Sequence, residues 1–200
     1  WTNEEGSRFA PCMMGSGVFI GKFDLQETYD IADYEGAKVG DELKRIGYAG
    51  PEPVPGHKVG AYFEAHIEQG PILENEEKTI GVVIGCLGQK WFDLTLKGVE
   101  SHAGPTPMHL RKDALLGAAE VIQAVNRIAL EHQPYACGTC GHIEAYPGSR
   151  NVIPGDVLVS IDFRHLEEDQ LAHMISELDK VLEKLKTENG LELELKPTAN

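Results

Sequence analysis

The sequence predicts an α/β protein whose later part, residues 89–198, folds as β-α-β-β-α-β, a four-stranded antiparallel sheet with two helices on one face. Trp91–Lys97 and Asp156–Arg164 alternate apolar and polar side chains, the period of a half-buried strand. Asp113–His132 and Glu167–Glu188 repeat apolar residues every three or four positions, the period of a helix. Gly85-Cys86-Leu87-Gly88 offers a flexible joint just before that pattern starts, so residues 1–88 read as pieces of a separate α/β domain.

In the first part, Gly15-Ser16-Gly17-Val18-Phe19-Ile20-Gly21 lacks the spacing of a phosphate loop and reads as a turn or closely packed backbone. Gly36 and Gly40 interrupt the next stretch, leaving one helix around Lys38–Ile46. Gly50–Gly56 is a proline-rich loop. Gly60–Ile67 sets Ala61, Phe63, Ala65 and Ile67 against Tyr62, Glu64, His66 and Glu68, a strand pattern with His66 on the more polar side.

The second part opens with a strand that buries Phe92, Leu94 and Leu96. Its first helix carries the stripe Leu115, Ala119, Ile122, Val125 and Ala129. Strands at Thr139–Tyr146 and Asp156–Arg164 follow, joined through a loop holding Pro147, Gly148, Pro154 and Gly155. The second helix presents Leu171, Met174, Ile175, Leu178, Val181, Leu182 and Leu185. Its acidic start, Glu167-Glu168-Asp169, complements the helix dipole, and Asn189-Gly190 ends it. Leu191–Leu195 is the last strand. Roughly 110 residues suffice for such a domain to hold its own core.

Of the 200 residues, 42% are hydrophobic and 25% charged, an ordinary balance for a soluble globular chain. A net charge of −14 and a pI near 4.9 argue against a nucleic-acid partner or an anionic membrane. No apolar run approaches the roughly 20 residues needed to span a bilayer. The chain opens on Trp1, without a signal-peptide pattern, and reaches a candidate motif within a few residues, so an internal piece of a longer protein is expected. Four scattered cysteines fit a reducing, cytoplasmic setting. Cys137 and Cys140 lie three apart on a strand and point to opposite faces, which favours packing over redox or zinc chemistry.

Carboxylates and histidine recur in an order that suits a metal of zinc or manganese type. Glu4 and Glu5 can divide labour, one binding metal while the other takes a proton from water; a solvated helix end is the alternative. His66 reads as a ligand or as a structural histidine. His102 precedes Ala-Gly-Pro, which neither continues a strand nor begins a helix, so it is expected on a loop, as a functional or a turn histidine. Arg164 shares a sheet face with Leu158, Ser160 and Asp162; it can hold a carboxylate bidentately or pair with Asp162. Asn151 lies in a Pro/Gly loop and can equally be a turn residue.

Asn3-Glu4-Glu5-Gly6-Ser7-Arg8-Phe9, His66-Ile67-Glu68-Gln69-Gly70-Pro71, His102-Ala103-Gly104-Pro105-Thr106-Pro107-Met108, Asn151-Val152-Ile153-Pro154-Gly155 and Asp162-Phe163-Arg164 together resemble the N-carbamoyl-L-amino-acid amidohydrolase group. That group includes β-ureidopropionases and allantoate amidohydrolases within the M20 metallopeptidase-like clan. The resemblance implies that 1–88 is part of a catalytic domain with two divalent metals (zinc, or manganese, cobalt or nickel) and that 89–198 is an inserted lid through which homodimers form. It implies Glu4 as general base, Glu5 and His66 as metal ligands, and Gln69, His102, Asn151 and Arg164 as substrate contacts. Arg164 would grip the substrate carboxylate, while His102 and Asn151 would steady the oxyanion or ureido group, within one subunit or across the dimer.

The implied reaction is attack of metal-activated water on the ureido carbonyl of an N-carbamoyl amino acid, releasing amino acid, ammonia and carbon dioxide. The group's remaining ligands, an early His, a bridging Asp and a late His, have no counterpart among these residues, so the 200-residue piece is expected to be inactive alone. Two rivals share parts of the pattern: an M20-type aminoacylase or exopeptidase, and a non-catalytic dimerisation module.

Overall fold

The computed structural model describes residues 1–199, which divide by their contacts into two compact units, Trp1–Pro71 and Ile72 onward. The second unit has the mixed α/β architecture that the periodicities predict. Its central strands, β1 (Gly88–Lys97) and β6 (Asp156–His165), pair antiparallel along their whole length, from Gly88 opposite His165 to Lys97 opposite Asp156. β7 (Glu192–Ala199) flanks β1, while β3 (Cys137–Thr139) and β4 (Ile143–Tyr146) share the far side of β6, every pair antiparallel.

Strict alternation along β6 buries Val157, Val159, Ile161 and Phe163 and leaves Leu158, Ser160, Asp162 and Arg164 on the opposite face. The buried row joins Leu94 and Leu96 of β1 beneath α5 (Ala114–Glu131) and α6 (Glu168–Asn189), which form one core on one side of the sheet. Removing each such side chain from water contributes about 1.5–3 kcal/mol. The Asp113 carboxylate caps α5 by accepting from the amides of Leu115 and Leu116, each at 3.0 Å. Gly190, in the left-handed region at φ 63°, closes α6.

Several elements differ from the sequence reading. The buried stripe of α5 is Ala114, Ala118, Val121, Val125 and Ile128, so Leu115 is more than one-third exposed and Ile122 only partly covered. Small residues set that face, letting the helix lie close to the sheet. Gly138 of β3 continues the theme, since a Cβ there would sit 2.7 Å from the Val125 carbonyl oxygen.

The strand expected over 139–146 is interrupted. Thr139 lies opposite Asp162 and Ile143 opposite Val159, so four steps on the edge strand match three on β6. That extra residue is a bulge, and it reverses which side chains face the core. Cys137, opposite Arg164, is exposed beside the open sheet face and Cys140 packs against the core, while the reversal after the bulge brings Ala145 to the core as well. All four cysteines are free.

His102 does not sit wholly in a loop. It ends the two-residue strand β2 (Ser101–His102), which pairs with β5 (Val152–Ile153), His102 lying opposite Val152. Backbone pairing thus overrides the break that Pro105 suggests, because the turn starts only after His102.

The first unit holds three short helices, α1 (Met14–Phe19), α2 (Leu25–Asp30) and α3 (Val39–Arg45), around Phe9, Met14 and Val39. The glycine-rich segment is helical rather than a turn, yet it is closely packed as expected: a Cβ on Gly15 would meet the Thr2 carbonyl oxygen at 2.8 Å. Arg8 ties the start of the unit to α3, reaching Asp33 and Glu42 at 2.8 Å each. Residues 60–67 form no strand, since among the described residues no segment pairs with them, and Phe63 and Ile67 are exposed. In the second unit, four-residue α4 (Ile72–Asn75) precedes a stretch without regular structure in which Ile80, Val82, Val83 and Ile84 are exposed.

No helix among the described residues is long and apolar enough to cross a membrane.

Candidate metal centre

Glu4 and Glu5 follow a backbone pinned from several directions. The amide of Met13 donates to the Glu4 carbonyl at 2.8 Å and that of Met14 to the Asn3 carbonyl at 3.3 Å. The Asn3 side-chain amide donates to the Phe9 carbonyl at 2.7 Å. Gly6 lets the chain turn past Cys12: its φ is +72°, and a Cβ there would lie 2.9 Å from the Cys12 backbone. The acidic pair is thereby held on a fixed loop, bonded to the residues that begin α1, and does not form a helix end.

His66 comes to the same place from residues 60–70. Ligand atoms of Glu4, Glu5 and His66 all lie within 4.8 Å of one another, Glu4 half-buried and the other two exposed. The Nδ1 atom of His66 lies 2.6 Å from the carbonyl oxygen of Ile67. A carbonyl only accepts, so Nδ1 carries the proton and Nε2 keeps its lone pair for an ion. Metal-ligating histidines are oriented in this manner. The same bond raises the His66 pKa; desolvation opposes it, and the charges of Glu4, Glu64 and Glu5 add to it.

Gln69 joins this group by donating from Nε2 to the Glu5 carboxylate at 3.1 Å. Its φ of 56° is unusual for a residue with a side chain and aims the amide back across the loop. Two carboxylates and an imidazole form a donor set that zinc or manganese accepts, so these side chains fit a divalent ion. Three residues fall short of two full coordination spheres.

The other candidate residues belong to the second unit. Pairing of β2 with β5 brings His102 beside Asn151, whose carbonyl accepts from the Ala103 amide at 2.8 Å. The Asn151 side chain accepts from the Ser149 hydroxyl at 2.8 Å. Arg164 sits on the open sheet face and donates from Nε and Nη2 to Asp162 at 3.0 and 2.8 Å. Asp162 holds the guanidinium more firmly charged than an ordinary arginine. Two residues outside the sequence-derived set matter locally. Asn3 anchors the acidic loop, and Arg111 donates to the carbonyls of Ala103 and Thr106 around His102. Neither belonged to a pattern of ligand types, because both act on backbone oxygens.

Comparison with known proteins bears on these groups. The peptidase dimerisation domain family matches residues 84–189. An N-carbamoyl-L-amino-acid amidohydrolase of Rhizobium meliloti is 49% identical over 189 residues, covering 92% of this chain and 45% of that protein. An allantoate amidohydrolase of Escherichia coli is 34% identical, covering 88% of this chain and 43% of that protein. Among solved structures, an amidase of the hydantoinase/carbamoylase family from Burkholderia multivorans superposes with a TM-score of 0.90 at 52% identity, over all of this chain and 48% of that one. The chain therefore spans about half the length of the curated relatives it matches.

Proposed function

The chain belongs to the M20 family that carries the peptidase dimerisation domain, with N-carbamoyl-L-amino-acid and allantoate amidohydrolases among its relatives, and we propose that its parent hydrolyses the ureido group of an N-carbamoyl-L-amino acid. The observation that carries the proposal is the meeting of Glu4, Glu5 and His66 with Nε2 of His66 left free by the Ile67 carbonyl.

In this reading Glu5 and His66 hold divalent ions, and the remaining ligands come from chain outside these 200 residues. The half-length coverage of the relatives supports that, as do the exposed apolar side chains of Phe63, Ile80, Val82 and Ile84, a kind of surface that folded proteins cover. Two divalent ions such as zinc, manganese, cobalt or nickel supply a lowered water pKa and a polarised carbonyl. Glu4 accepts the proton of the attacking water and passes it to the leaving nitrogen. Gln69 orients Glu5 and lies ready for substrate. Arg164 grips the substrate carboxylate, and His102 and Asn151 donate to the oxygen that gains charge. The products are the amino acid, ammonia and carbon dioxide.

Residues 1–88 then serve as part of the metal-binding domain and 89–198 as a lid that pairs two copies. The β4 edge suits such pairing better than β7: Ile143 and Tyr146 are exposed there, whereas β7 presents Glu192, Glu194, Lys196 and Pro197. A cytoplasmic setting accords with four free cysteines.

The test compares an N-carbamoyl amino acid, an N-acetyl amino acid and a dipeptide as substrates of the metal-loaded parent. Preference for the carbamoyl compound is expected, and preference for either of the others transfers the reading to an aminoacylase or exopeptidase. The 200-residue chain alone is expected to show no turnover with zinc, manganese or cobalt, and measurable turnover would overturn the division of ligands.

A further inference from the structure

The turn that follows β2 is closed by bonds that involve the backbone of almost every residue in it. The amide of Gly104 donates to Nδ1 of His102 at 3.0 Å. The Thr106 hydroxyl donates to the His102 carbonyl at 2.7 Å, and the Thr106 amide reaches the same oxygen at 3.3 Å. The Ala103 amide is taken by the Asn151 carbonyl. Half-buried Arg111 takes the carbonyls of Ala103 and Thr106: Nη2 donates to Ala103 at 2.7 Å and to Thr106 at 3.0 Å, and Nε to Thr106 at 3.1 Å.

We propose that Arg111 is a positioning residue that locks this turn so that His102 presents Nε2–H as a fixed hydrogen-bond donor. An amide can only donate, so Nδ1 of His102 accepts and the neutral ring carries its proton on Nε2. The bond is short only while the turn keeps its shape, and the planar guanidinium spans two carbonyls that a single ammonium holds less rigidly. Gly104 leaves room for the ring to lie over the turn, since a Cβ there would come within 3.3 Å of His102 Cε1. The hydrogen bonds of the Arg111 guanidinium go to backbone oxygens of this turn. The benefit to catalysis rests on the reading above, in which Nε2 of His102 meets developing charge; the lock itself does not.

Two measurements separate the lock from that reading. In the full chain, exchange of the Gly104 amide proton is followed by NMR in the original sequence, Arg111→Lys and Arg111→Ala. Protection of Gly104 is expected to fall about tenfold or more in Arg111→Ala and less in Arg111→Lys, with the amides of β1 and β6 unchanged. Unchanged Gly104 protection overturns the lock, and so does an equal loss in β1 and β6, which marks a general stabiliser. In the metal-loaded parent, Arg111→Ala is expected to lower kcat roughly 10- to 100-fold with KM within about twofold, the scale of a small misplacement of a reacting group. The same change made on His102→Ala should add nothing further. Additive losses overturn action through His102. Full activity in His102→Ala removes His102 from the proposed reaction and leaves the exchange measurement to decide the lock.

Discussion

Asp162 takes the Nε and Nη2 edge of Arg164, two residues along the same strand face, and the contact fixes one side of the guanidinium while the side chain stays 42% exposed. The two sequence readings of Arg164, ion pair or carboxylate grip, are thus compatible. A guanidinium has five donors, and Asp162 occupies one fork.

Arg164→Ala should therefore raise KM about 10- to 100-fold for a carboxylate-bearing substrate and change kcat far less, as when binding common to ground and transition state is lost. Asp162→Asn should raise KM in the same direction by a smaller factor. Steady-state kinetics of the metal-loaded parent check both, and an unchanged KM in Arg164→Ala would remove Arg164 from substrate binding.

Gln69→Ala should weaken binding of zinc or manganese by roughly 10- to 100-fold without removing a ligand, because its amide holds the Glu5 carboxylate in place. His66→Ala should weaken it more. Calorimetric titration of the chain with each ion reads the difference; equal affinities for all three proteins would sever these side chains from the ion.

Glu42 is held down to a pKa of about 2 by Arg45 and Arg8, from an ordinary value of 4.5. A carboxylate with a depressed folded pKa adds stability above its unfolded value, and that contribution disappears as pH falls through the folded one. Thermal scans from pH 5 to pH 2 should show the original chain losing more of its melting temperature than Glu42→Gln. Parallel curves would mean that the staple joining Arg8 to α3 adds nothing.

Burial pushes the Cys140 thiol up to about 11, so it stays protonated at pH 8. Cys12, Cys86 and Cys137 are exposed. A thiol reagent at pH 8 should modify those three in the folded chain and reach Cys140 only after denaturation, which mass spectrometry of the labelled peptides can read.

Much of the second unit was legible because β1, β6 and α6 each bury one clean face, and a period of two or of 3.6 residues survives in the sequence. The α5 stripe holds at Val125 and Ala129 but sets Leu115, Ala119 and Ile122 one position past the buried Ala114, Ala118 and Val121, because the small residues Ala114, Gly117 and Ala118 carry little weight in hydropathy. Residues 60–67 alternate as a strand does, but alternation says nothing of whether a partner strand is present. Glu4, Glu5 and His66 were nameable as ligand types, and their meeting could not be inferred from spacing, since more than sixty positions separate them. Arg111 left no trace, because a side chain that serves carbonyl oxygens needs no particular neighbour in sequence.

Gly98→Ala is a sharper test of the packing between β1 and the turn before α5. A Cβ at Gly98 would overlap the Lys112 carbonyl oxygen, and that backbone cannot yield as a side chain can. Destabilisation of about 1–3 kcal/mol is expected by denaturant titration. A wild-type midpoint would mean that the segment around Lys112 shifts freely.

The extra residue between Thr139 and Ile143 makes the edge strand sensitive to its length more than to its composition. Exchanging one of the three residues inside that interval disturbs a single site. Deleting one turns every later side chain over, sending Ala145 to water and Glu144 and Tyr146 toward the apolar layer. Variation at this edge should accordingly be tolerated as substitutions and refused as gaps.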